Sequence, residues 1–398
     1  MNTPKGNRIH IGIFGQTNSG KSTVFNLLLN SEIATVSNIK GTTTDSVSKA
    51  AELPNFGAVT FVDTAGLGDD SVLGEKRTAQ TKKALDKIDL GIYLIIPLDF
   101  DEKIFLETSE EFKKRDIKLI KVISKGDLLD SKINENNKKE FQKHFKDEII
   151  ISKDSPESIL NLKKVIIDAL NEDVVQEKTL LEGLEHKIKS VLLVIPIDSA
   201  SPKGRLILPQ AQLIRECLDK NIICTVINDE MLENFCADSY SLVVTDSRIF
   251  KFVNSKLNKQ IPLTTFSILF ARQKGDLKIF LDGVNKIKNL KDGDNILIAE
   301  NCHHTKNHED IGTVVIPERI SKMTGKNLNF DFLTGHDYSA DLEKYTLVIN
   351  CGGCMITRKN MENRINKNME KNIPITNYGM VLAYVAGDLD RSIAFFDM

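Results

Sequence analysis

Two stretches of this sequence carry soft metal ligands at short spacing. "LVINCGGCMITR" (347–358) sets Cys351 and Cys354 on either side of two glycines, and "NILIAENCHHT" (295–305) ends an apolar run with Cys302, His303 and His304. Strand ends in an α/β domain can lie side by side, so loops about 50 residues apart in sequence can converge on one sheet edge. Three thiols and an imidazole would then meet. A redox dithiol needs only Cys351 and Cys354 and leaves Cys302 and the histidines idle. A structural zinc uses Cys302, His304, Cys351 and Cys354 as a tetrahedral set. An iron–sulfur cluster uses the three cysteines with a weaker fourth position. A plain Gly-Gly turn uses none of them. Spacing alone leaves zinc and iron–sulfur both open. The glycines lean toward a cluster, because N–H groups of a bare turn can point at inorganic sulfur.

A second chemistry stands at the other end of the chain. "RIHIGIFGQTNSGKSTVFNLLLN" (8–30) reads as a strand, a glycine-rich loop and a helix, and Gly15 to Ser22 fits G-x-x-x-x-G-K-[ST]. In that loop the backbone of Gly15, Asn18, Ser19, Gly20, Lys21, Ser22 and Thr23 would wrap phosphate at a helix N-terminus. Lys21 would reach the β and γ oxygens, and Ser22 would hold Mg²⁺. "GTTTD" (41–45) would bring Thr43 to the Mg²⁺ and the γ-phosphate. "VTFVDTAGL" (59–67) ends a strand at Asp63, whose carboxylate would reach the metal through water, while Gly66 offers an N–H to the γ-phosphate. "LIKVISKGDLL" (119–129) puts Lys125 and Asp127 after a buried strand. A carboxylate there accepts from N1–H and N2–H₂ of guanine, and adenine would leave it unpaired. "IIISK" (149–153), with Ser152 and Lys153, then closes on the base.

Over residues 8–171 these segments resemble the translation-factor-related small GTPases, in the subgroup typified by the tRNA-modification GTPase and Era. Two departures stand out. Ser124 takes the place of the asparagine in the usual Asn-Lys-x-Asp, weakening one base-edge or loop-bracing hydrogen bond by about 1 kcal/mol. Leu67 follows Gly66 where Ras-like proteins carry the water-orienting glutamine, and leucine cannot polarise water. The resemblance implies an alternative: Asn18 holding K⁺ in place of an arginine finger, and Glu75 in the second switch positioning water. Glu75 in "GEKR" also reads as a solvated charge. Intrinsic hydrolysis is expected to be slow.

The bulk composition sets the frame for both sites. A chain of 398 residues exceeds one ordinary core, so two or three domains are expected. With 53 basic and 55 acidic side chains there is no global basic field to argue for nucleic acid. No apolar run is long enough to span a bilayer, and the first residues lead straight into a strand, with no room for a signal peptide. A cytoplasmic protein without membrane contact is expected. The six cysteines (Cys217, Cys224, Cys236, Cys302, Cys351, Cys354) accordingly read as reduced thiols or metal ligands, not disulfides.

Between the two sites, "SVLLVIPID" (190–198), "IICTVI" (222–227) and "SLVVTD" (241–246) are apolar strands separated by helical patterns, a small α/β unit with a parallel sheet. Cys217, Cys224 and Cys236 lie in or beside its apolar segments and read as buried structural thiols. Lys203 and Arg205 in "SASPKGR" (199–205) are chemically suggestive, but a polar turn accounts for them equally well. Lacking chemistry of its own, this unit is expected to serve association.

Taken in order, the GTPase segments, "SPKGRLILPQ", "PLTTFSILFAR", Cys-x-His and Cys-Gly-Gly-Cys are similar to the family of GTPases that mature [FeFe]-hydrogenase, the HydF family. The resemblance spans the whole chain. It implies an α/β protein of three domains: a P-loop GTPase with a mostly parallel sheet (1–174), a small α/β dimerisation domain (175–262) and a cluster-binding domain (263–398). It implies a [4Fe–4S] cluster on Cys302, Cys351 and Cys354, with His304 available as a fourth ligand. It also implies a homodimer or higher oligomer that receives a transient diiron subcluster from two radical-SAM maturation enzymes and delivers it to the [FeFe]-hydrogenase apoprotein. The family often has histidine before the Cys-Gly-Gly-Cys, and here that residue is Asn350. A tRNA-modification-type GTPase with a metal-binding C-terminal domain is the rival reading, and it calls for a basic surface.

Overall fold

The structure, a computed structural model, describes residues 6, 8–16, 18–30, 48–54, 56–64, 84–97, 100–126, 148–152, 155–172, 178–198, 204, 206–300, 310–334, 338, 341–353 and 356–396. Thr43, Gly66, Leu67, Glu75, Asp127, Lys153, Lys203, Arg205, Cys302, His303, His304 and Cys354 lie outside the described residues. The chain divides into two compact units, Met1–Val175 and Gln176–Met398.

The first unit is built on strands β1 (Ile9–Gly15), β2 (Ser48–Leu53), β3 (Gly57–Asp63), β4 (Leu90–Ile95), β5 (Lys118–Ile123) and β6 (Ile149–Ile150). Helices α1 (Lys21–Asn30), α2 (Glu102–Lys114) and α3 (Pro156–Glu172) accompany them. The sheet order is β2-β3-β1-β4-β5-β6, antiparallel only where β2 meets β3. β4, "LGIYLI", is buried at every position, as a central parallel strand covered on both faces must be. One face packs Ile11, Ile13, Phe25, Leu28 and Ile166 into a core with α1 and α3. The other packs Phe14, Phe105 and Phe112 under α2, whose N-terminus is capped by Asp101 Oδ1 accepting from the Ile104 N–H at 3.0 Å. With β3 on one side of β1 and β4 on the other, the loop after β1 opens at the point where the strand order reverses.

Among the described residues, the second unit holds two four-stranded, all-parallel sheets. The first, in order β10-β9-β7-β8, is made of β7 (Ser190–Val194), β8 (Ile223–Ile227), β9 (Leu242–Thr245) and β10 (Leu263–Thr265), with helices α4 (Leu208–Asp219) and α5 (Phe250–Lys256). Helices α6 (Phe266–Lys274) and α7 (Leu277–Val284) lead to the second. Its order is β12-β11-β13-β14, from β11 (Asn295–Glu300), β12 (Asn329–Thr334), β13 (Leu347–Asn350) and β14 (Ile375–Asn377). Helices α8 (Ile316–Thr324), α9 (Arg358–Glu370), α10 (Tyr378–Ala386) and α11 (Leu389–Ile393) surround it.

These two sheets share one core. A single apolar cluster runs from Val191, Leu193, Leu213 and Val244 to Ile296, Ile298, Val348 and Ile375. Helix α6 explains the continuity: Phe266, Ile268, Leu269, Phe270 and Ala271 are all buried and none of its residues is exposed, so it has no solvent face at which to separate two domains. The sheet of the middle segment also extends past the expected boundary at 262, because β10 pairs with β9 and its Thr264 hydroxyl donates to the Ser392 carbonyl at 2.7 Å.

The expectation of three buried thiols in the middle segment is corrected in part. Cys217 on α4 is fully buried, and its pKa is pushed up by a hydrogen bond with the Cys224 thiol and by burial. Cys224 is only half-buried and Cys236 is exposed. The reason is local: Cys224 sits on β8, the edge strand, and Cys236 lies beyond the 3₁₀ turn Glu230–Asn234 with no strand to cover it.

Candidate functional site

The phosphate loop joins the end of β1 to the first turn of α1. Gly15 has φ +140°, and a Cβ there would stand 2.6 Å from the Leu94 carbonyl oxygen and 2.7 Å from Ser19 Oγ, so only glycine closes this turn. Asn18 takes a left-handed backbone at φ +61°, a strained choice for a side-chain residue that clusters at functional loops. Lys21 Nζ donates to the carbonyl oxygens of Gly15 at 3.0 Å and Gln16 at 2.7 Å, curling over the loop where phosphate oxygens would compete for it. Ser22 Oγ donates to Asp63 Oδ2 at 3.2 Å. Two of the three side chains expected to serve Mg²⁺, Ser22 on α1 and Asp63 at the end of β3, therefore meet. Ser19 Oγ is buried and without a hydrogen-bond partner, a donor available to an anion seated in the loop.

A cleft of about 210 Å³ opens beside this loop, lined by Ser19, Gly20 and Thr23 from the loop and α1, Ser124 and Lys125 after β5, and Ser152 after β6. The structure thus brings the described parts of the phosphate, guanine and closing segments to one place. Ser124 is buried, and its hydroxyl donates to the Ile95 carbonyl at 3.1 Å, beside its own N–H to the same oxygen at 2.8 Å. The Ser124 side chain is therefore fastened to the backbone of β4. Lys125 is left-handed at φ +55°, and the Gly126 N–H donates to Ile151 O at 3.0 Å, which ties the two base-side loops together. Neither the left-handed Lys125 nor the bonding direction of Ser124 leaves a trace in residue type.

At the second site, β11 and β13 are parallel neighbours, with Ala299 opposite Asn350. The Cys351 N–H donates to the Ala299 carbonyl at 2.9 Å, so Cys351 stands at the end of β13 directly beside the end of β11, whose continuing chain carries Cys302. Cys351 is buried, and Gly353 turns the loop at φ +71°. Among the described residues no group of three or more His, Cys, Asp or Glu is gathered closely enough to hold a metal. Tyr378, at the start of α10, donates to Glu300 Oε1 at 3.0 Å. Burial and then the Glu300 charge push the Tyr378 pKa far up, so the phenol is neutral and a donor. Asn350 is fully buried, and its Oδ1 accepts from Arg364 Nη1 at 3.1 Å. Sequence reasoning missed Arg364 and Tyr378. Arg364 lies in "RKNMENRINKNME", which reads as a solvated helix, and no spacing singles it out.

Comparison with known families covers both halves. The description "Hydrogen maturase F dimerization domain" matches residues 180–275, "Hydrogen maturase F tetramerization domain" matches 278–395, and "50S ribosome-binding GTPase" matches 10–132. The tRNA modification GTPase MnmE of Bacteroides thetaiotaomicron is 30% identical over 248 residues, covering 57% of this chain and 51% of that protein. GTPase Der of Wolinella succinogenes is 35% identical over 145 residues, 35% of this chain and 30% of that one. The chain spans about half the length, or less, of these curated relatives. Among solved structures, elongation factor SelB from Methanococcus maripaludis with the GTP analogue GppNHp is 22% identical at a TM-score of 0.33, covering 43% of this chain and 36% of that one. An Aquifex aeolicus Era variant bound to GDP and AlF₄⁻ is 18% identical at 0.30, covering 55% of this chain and 91% of that chain.

Proposed function

The chain belongs to the hydrogen maturase F family, and from that premise we propose that it is a slow GTPase and iron–sulfur scaffold of [FeFe]-hydrogenase maturation. On this reading it receives the diiron precursor of the hydrogenase active site from two radical-SAM enzymes and hands it to the apo-hydrogenase. The observation that carries the scaffold role is the pairing of β11 with β13, which sets the Cys351 backbone against Ala299, three residues before Cys302. Cys302, Cys351 and Cys354 would hold a [4Fe–4S] cluster, with His304 or a nearby carboxylate at the remaining iron. Such a cluster supplies an iron site whose non-thiolate ligand an incoming group can displace.

In the GTPase unit, Lys21, Ser22, Asp63 and Thr43 would bind the triphosphate and Mg²⁺, Lys125 and Asp127 the guanine, and Ser152 and Lys153 would close over it. Glu75 would position the attacking water. Asn18, held left-handed at the mouth of the loop, is the proposed ligand of K⁺. GTP hydrolysis is expected to run about tenfold faster in K⁺ than in Na⁺, the worth of about 1.4 kcal/mol of charge stabilisation. Asn18→Ala is expected to erase the difference. Equal initial rates for the unaltered protein in the two salts would remove K⁺ from the account.

Self-association is supported by the dimerization and tetramerization domains of the family. Among the described residues β8 stands at an edge of its sheet, with Ile223 and Val226 exposed at 68% and 45% and Leu218 on the adjoining α4 at 64%. An unpaired apolar edge is a template for a second strand, so two copies are proposed to join there. Introducing Ile223→Glu together with Val226→Glu is expected to weaken the dimer about tenfold or more, since like charges facing across an interface cost several kcal/mol. Analytical ultracentrifugation reads the change. An unaltered association constant would place the interface elsewhere.

A further inference from the structure

One wall of the nucleotide cleft turns its hydrogen-bond donors away from the cavity. Ser124, the first residue after β5, lines the cleft and is 2% exposed. Its hydroxyl donates to the Ile95 carbonyl at 3.1 Å, and its N–H donates to the same oxygen at 2.8 Å. A carbonyl oxygen can only accept and a serine hydroxyl carries one proton, so that proton points at the end of β4. Two residues on, the Gly126 N–H donates to the Ile151 carbonyl at 3.0 Å. Three donors of this turn are thus committed to backbone, and what Ser124 still presents is an oxygen that accepts. Sheet order decides which part of a nucleotide meets it. Strands β1, β4, β5 and β6 lie side by side in that order, so Ser124 stands between the phosphate loop after β1 and Ser152 after β6. A purine carries its sugar on the five-membered ring, so its N7, an acceptor, lies on the half of the base nearer the phosphates.

We propose that this cleft binds guanine nucleotides without reading N7, that Ser124 is the residue responsible, and that 7-deazaguanine nucleotides are therefore ligands equal to GTP. This rests on the reading of the cleft as the guanine site of a GTPase, given above. An acceptor facing Ser124 meets an oxygen whose proton is already spent. Turning the hydroxyl from the Ile95 carbonyl to N7 would break one neutral hydrogen bond to make another, with no net gain in affinity. Replacing N7 by C–H consequently removes no bond that counts. Asparagine, the residue that Ser124 replaces in the usual motif, differs in kind. Its amide carries two protons, one for the backbone and one for the base. Serine cannot serve both, and the bond to Ile95 is the one that forms without a ligand. Discrimination between guanine and adenine is left to the other edge of the base, where the two purines differ in their donors.

The test is a competition of GTP and 7-deaza-GTP against a fluorescent GDP on the full-length chain with Mg²⁺. For the unaltered protein the two inhibition constants are expected to agree within about twofold, since no net hydrogen bond separates the ligands. Ser124→Asn is expected to bind 7-deaza-GTP about five- to tenfold more weakly than GTP, the worth of one hydrogen bond. Ser124→Ala is expected to leave the two ligands equal. An unaltered chain that binds 7-deaza-GTP about tenfold more weakly than GTP would overturn the proposal. So would a folded Ser124→Asn that does not discriminate, because N7 would then lie away from position 124. If Ser124→Asn does not fold, Ser124→Ala decides: a ratio about fivefold or more from that of the unaltered protein would show that the hydroxyl reads N7 after all. A chain that takes up no labelled GDP would instead defeat the GTPase reading itself, before the two competitors are compared.

Discussion

Lys21→Ala is expected to lower GTP turnover by about 10²–10³-fold, the cost of deleting one charge-stabilising donor, and to abolish measurable GTP binding while leaving iron content intact. The amine is poised over the loop, bonded to the Gly15 and Gln16 carbonyls, and no other described side chain takes that position. Truncation to alanine removes the cation and leaves the turn at Gly15 in place, because that turn is enforced by close contacts with Leu94 and Ser19. Iron should survive because the two sites belong to units with separate cores: Phe25, Leu28 and Ile166 on one side of the division, and Ile298, Val348 and Ile375 on the other. Isothermal titration with a non-hydrolysable GTP analogue and iron analysis of the same sample read both halves. A folded variant stripped of iron would mean that the units are coupled far more tightly than their cores indicate.

Cys351→Ser is expected to lose most of the iron, and Cys302→Ser and Cys354→Ser to do the same. The oxygen of serine is a poor substitute for thiolate toward iron, and its hydroxyl stays protonated near neutral pH. Cys351 is the member of the set whose place is described: buried, at the end of β13, its N–H bonded to Ala299 of the neighbouring strand. Cys217, Cys224 and Cys236 are spread over α4, β8 and the chain after the 3₁₀ turn, and Cys217 is held protonated by its surroundings, so replacing these three should leave the iron untouched. His304→Ala is expected to change the spectrum or ligand exchange of the cluster without emptying the site. Added imidazole or cyanide should alter the resonance of the reduced protein. A spectrum indifferent to both would mean four tight ligands, and the vacancy needed for docking cargo would be gone.

Much of this was open to reading in residue order. G-x-x-x-x-G-K-S between an apolar strand and an apolar helix announces itself, because the turn needs glycine and the phosphate needs N–H groups at a helix start. The side-by-side placement of β11 and β13 followed from two apolar runs, each ending in cysteine, and the register of Ala299 against Asn350 agrees with it. Less was legible wherever polar residues turn inward. Helix α9 is rich in Asn, Lys, Arg and Glu, yet Asn360, Asn363, Arg364 and Asn368 are buried beside Met361 and Ile365, so a polarity pattern understates how much of the helix turns inward. The continuity of the second unit was hidden for the opposite reason. Helix α6 carries Ser267, Arg272, Gln273 and Lys274 yet exposes none of its residues, and periodicity cannot say that it serves two sheets at once. The bond from Ser124 to Ile95 was equally invisible, since the same hydroxyl could have faced the base.

The central claim is that this GTPase carries an iron–sulfur cluster on Cys302, Cys351 and Cys354. Anaerobic purification of the full chain, followed by iron, acid-labile sulfide and zinc analysis, tests it most directly. The account predicts a brown protein with about four irons and about four sulfides per chain, able to activate an apo-hydrogenase once loaded with a diiron precursor. A colourless protein holding one zinc per chain and no sulfide would contradict it.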